Sequence, residues 1–65
     1  MNQEAKIAYI QAQTVCALAE IEGMKAENKI RKDRGHSLAY DSEAFFKIPE
    51  KYGIHHNAIV SYLND

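Results

Sequence analysis

The stretch that decides the fold is Glu4–Lys32, EAKIAYIQAQTVCALAEIEGMKAENKIRK. It contains no proline and one glycine, Gly23, and is built mostly from the strong helix formers Ala, Glu, Lys and Gln. One helix over about 4–32 is predicted, about 28 residues and roughly 42 Å long. Arg31, Lys32 and Arg34 suit the negative end of the helix dipole, and Gly35 can take the left-handed conformation that closes a helix.

Two apolar series run along this helix. Ile7, Ile10, Thr14, Ala17, Ile21, Met24 and Asn28 recur at alternating spacings of three and four, the pattern of a bundle seam. Ala5, Ala8, Ala12, Cys16, Ala19, Gly23 and Ala26 form a second series made only of small residues. At 100° per residue its mean direction lies roughly 170° from the first. Polar strips separate the two, one with Gln11, Glu22, Lys25 and Lys29, the other with Lys6, Gln13, Glu20, Glu27 and Arg31. A helix packed once on a small body needs one apolar stripe. The large-residue seam is therefore expected to accept the C-terminal half, and the small-residue face to meet a second copy, in antiparallel pairing about a twofold axis.

Beyond Gly35 a short connector leads to Asp41 and Ser42, either of which can cap a helix. A helix over about 42–52 follows. Pro49 lacks an amide donor, so it either kinks this helix or opens a new one; a kinked continuous helix is the preferred expectation. Gly53 supplies a second cap, and a last helix is expected over about 56–63. The fold class is all-α: one long helix against two short ones, in a single domain over 1–65 completed by oligomerisation. Phe45, Phe46, Ile48, Tyr52, Ile54, Ile59 and Leu63 are expected to form a core with Ile7, Ile10, Ile21 and Met24.

A 65-residue monomer buries only about 60% of the surface its unfolded chain exposes, so its core needs a supplement. Cys16 is the lone cysteine, which rules out an internal disulfide and fits a reducing compartment. With it, His36, His55 and His56 do not make a zinc framework, and no metal or cofactor is expected. No phosphate loop and no nucleophile ordered by a base and an acid is present, and no catalytic residue is assigned. Nothing reads as a membrane span or a signal peptide, and a cytoplasmic location is expected. The net charge of −1 argues against general polyanion binding.

The segment Ile48–Leu63, IPEKYGIHHNAIVSYL, resembles the helix-turn-helix of bacterial regulators, with Ile48, Gly53, Ile54, Ile59 and Leu63 at the apolar anchors and the turn. Pro49 departs from that pattern, and the recognition-helix equivalent carries no Lys or Arg. In such a reading His55, Asn57 and Ser61 would face DNA. More broadly, KIAYIQAQTVCALAEIEGMKAEN, GHSLAY and KYGIHHNAIVSYL resemble segments of short uncharacterised proteins encoded by bacteriophages and prophages. That resemblance implies a compact accessory protein, a class in which many members bind and block a host protein, including antiviral defence components. Tyr9, Tyr40, His55, His56 and Tyr62 are the candidate partner contacts, because aromatic side chains are enriched at interface hot spots. A virion assembly protein is the third expectation.

Overall fold

A computed structural model describes residues 2–64. The fold is all-α, with α1 (Gln3–Asp33), α2 (Ser42–Phe46), α3 (Ile48–Lys51) and α4 (His56–Asn64). The molecule measures 49 × 17 × 10 Å, and α1 runs along the whole of its long dimension.

Each boundary has a local cause. The Asn2 side chain accepts the Ala5 amide at 2.8 Å and starts α1 one residue earlier than the composition suggests. At the other end Gly35 has φ +74, the His36 amide donates to the Arg31 carbonyl and the Gly35 amide to the Lys32 carbonyl. This pair of bonds is the Schellman closure, which supplies donors to carbonyls the helix leaves unmatched. Asp41 caps α2 through the Ala44 amide at 2.9 Å. A second Schellman closure ends α3: Gly53 has φ +66, with bonds from the Gly53 amide to Glu50 and from the Ile54 amide to Pro49.

The helix expected over 42–52 is divided at Lys47 into α2 and α3. Pro49 has no amide to offer the Phe45 carbonyl, and the helical ladder loses a rung there. Lys47 nevertheless keeps right-handed helical dihedrals, φ −78 and ψ −14, and its amide still reaches the Glu43 carbonyl, so the axis bends without stopping.

The core is small. Ala17, Met24 and Ile48 are its buried apolar side chains among the described residues, with Ile21, Ala44, Phe45, Tyr52 and Ile54 packed around them. Two expectations need correction. Ile7 and Thr14, placed in the inner seam, are exposed, and Phe46, placed in the core, is 77% exposed. The first shift follows from helix geometry: a strict seven-residue pattern drifts about 20° per heptad on a straight helix. Its Ala17 and Met24 end faces inward while its Ile7 and Thr14 end turns to solvent. The strip expected to be a polar flank, with Lys6, Gln13 and Glu20, turns in to replace them. Lys6 is only 6% exposed. The second correction follows from adjacency, since neighbouring residues on a helix point about 100° apart and Phe45 already takes the inward direction.

Candidate functional site

Three polar joints hold the C-terminal half along α1 and decide which surfaces remain open. At the centre, the Glu20 carboxylate accepts from Lys51 Nζ at 2.7 Å and from the Tyr52 hydroxyl at 2.8 Å, while Gln13 donates to the Tyr52 carbonyl at 3.1 Å. The Lys51 bond and then the Tyr52 bond lower the Glu20 pKa below its ordinary value. The hydrogen bond to Glu20 raises those of Lys51 and Tyr52. Toward the C-terminal end of α1, Asn28 clasps the connector. Its Oδ1 accepts from the Ala39 and Tyr40 amides and its Nδ2 donates to the Tyr40 carbonyl. At the N-terminal end of α1, Tyr62 lies between Tyr9, with ring centroids 5.5 Å apart, and the Lys6 ammonium, 5.5 Å from the ring; Gln3 donates to the Leu63 carbonyl.

These joints account for much of the inner side of α1; Ile7, Tyr9 and Val60 are exposed beside them, and further exposed apolar side chains fall in two other regions. The first is the far side of α1. Ala8, Ala12, Cys16, Ala19, Gly23 and Ala26 are all exposed there and Ala5 is half-buried. The small-residue series also has larger companions that its composition hides: Val15, 66% exposed, and Ile30 extend it at the same spacings of three and four, and Leu18 borders it. The second is the connector and α2, where Leu38, Tyr40 and Phe46 are each exposed.

Of the expected partner contacts, Tyr9, Tyr40, His55 and His56 are exposed and Tyr62 is half-buried against Tyr9. They do not form one patch: Tyr9 and Tyr62 meet near the start of α1, whereas Tyr40 is held by Asn28 near its end. His55, Asn57 and Ser61, the residues of the DNA reading, are exposed on and just before α4. Val15, Leu18, Ile30, Leu38 and Phe46 were not among the expected contacts. The signal for Val15 and Ile30 was present in their spacing from Ala12, Ala19 and Ala26, and for Phe46 in its pairing with Phe45.

Among the described residues no pocket opens and no group of three His, Cys, Asp or Glu side chains is placed to hold a metal ion. No helix is long and apolar enough to cross a membrane. Comparison with family models, curated proteins and solved structures found no match to this chain.

Proposed function

We propose that the chain acts by binding protein, not by catalysis: a small phage-type accessory protein that self-associates, as a dimer in the simplest case, and occupies a host protein such as an antiviral-defence component. The exposure of Phe46 carries this reading. A phenyl ring left 77% in water, with Leu38 and Tyr40 also exposed, sits on a chain that buries three apolar side chains among the described residues. Single exposed apolar residues are ordinary; several large ones on so thin a core are what an interaction surface needs. Tyr9, Tyr40, His55, His56 and Tyr62 are the further contacts proposed, in the host cytoplasm. A rigid helical surface lowers the ordering cost of association.

The test compares the tagged wild type with a Phe46→Ser variant in capture from bacterial lysate, followed by titration of the captured host protein's activity. One host protein enriched by the wild type, retained about tenfold less by the variant and inhibited stoichiometrically supports the reading. Recovery of the bait alone, or of virion proteins, refutes it.

A second reading has one observation in its favour. Gly53 turns the chain sharply between α3 and α4 and leaves His55, Asn57 and Ser61 exposed, as a helix-turn-helix regulator would. Phosphate neutralisation dominates duplex affinity, and α4 carries no Lys or Arg. A duplex mobility shift that appears at low salt and fades as salt rises would favour it; no shift at any salt ends it.

A further inference from the structure

We draw no further inference here: the strongest candidate, the exposed outer face of α1 from Ala8 to Ile30, is an unpartnered stripe of mostly small residues, and nothing in the structure shows what covers it.

Discussion

The two sides of α1 are made of unlike materials, and the contrast runs against the usual rule. The inner side, which holds the fold together, is half polar: Lys6, Gln13, Glu20 and Asn28 do much of the joining through bonds to Tyr62, Tyr52, Lys51 and the connector. The outer side is mostly small and apolar, with Ala8, Ala12, Val15, Cys16, Ala19, Gly23, Ala26 and Ile30 all exposed. A molecule only 10 Å across its thinnest dimension cannot give every side chain an apolar surrounding. It joins its layers with long polar side chains whose stems pack and whose heads find partners. Apolar surface left on the other side is then available for association.

The contrast can be broken most sharply at Met24. Met24→Ala empties one of the three buried apolar positions among the described residues and should destabilise the chain by about 3 kcal/mol in urea unfolding. On a domain this small that is most of its stability. A loss below about 1 kcal/mol would mean the inner face is not the core. Asn28→Ala removes three hydrogen bonds to the connector and should cost about 2 kcal/mol, with faster amide exchange at Ala39 and Tyr40. Unchanged exchange at those two amides would show that the clasp does not hold.

The adjacent phenylalanines give a matched pair. Phe45→Ala should cost about 2 kcal/mol, since Phe45 packs on the core and is half-buried, whereas Phe46→Ala should stay within about 0.5 kcal/mol. Equal losses at the two positions would erase the distinction between buried and presented aromatic. On the outer face, Gly23→Ala should raise the stability of the dilute monomer by about 0.5–1 kcal/mol through helix propensity alone.

The smallest expected effect belongs to Glu20. Its pKa is lowered in the fold, so its contribution is present above the unfolded value and lost as pH falls through the folded one, below about pH 4. Lys51 and Tyr52 have raised values, so their contributions hold through neutral pH and fade above about pH 10. Melting temperatures of wild type and Glu20→Gln should differ at pH 7 and converge below about pH 4. A gap that persists at low pH would separate the effect from the carboxylate's charge.

Much of this fold was legible where backbone chemistry speaks locally. Gly35 and Gly53 have the left-handed conformations expected of closing glycines, Asp41 caps α2, and a proline-free run rich in Ala, Glu, Lys and Gln became one helix. What escaped was rotational. A seam defined by residue type does not show that Ile7 and Thr14 drift outward while Lys6 and Glu20 turn in, because that depends on summed twist over three heptads and on where Tyr52 and Tyr62 dock. The outer face is legible as small residues, but the exposure of Val15 and Ile30 beside them follows only from which side of α1 the C-terminal half covers.

Because α1 spans the long dimension and α3 and α4 lie against it at separate stations, the chain is expected to fluctuate like a clasped rod. Loosening the Tyr62 contact near Lys6 would free α4 while Met24 and Ile48 stay packed, and releasing Asn28 would free the connector without disturbing Tyr62. Hydrogen exchange should therefore be graded along one helix, slowest from Ala17 to Met24 and faster toward both ends. Each extremity then opens independently while the middle keeps its register.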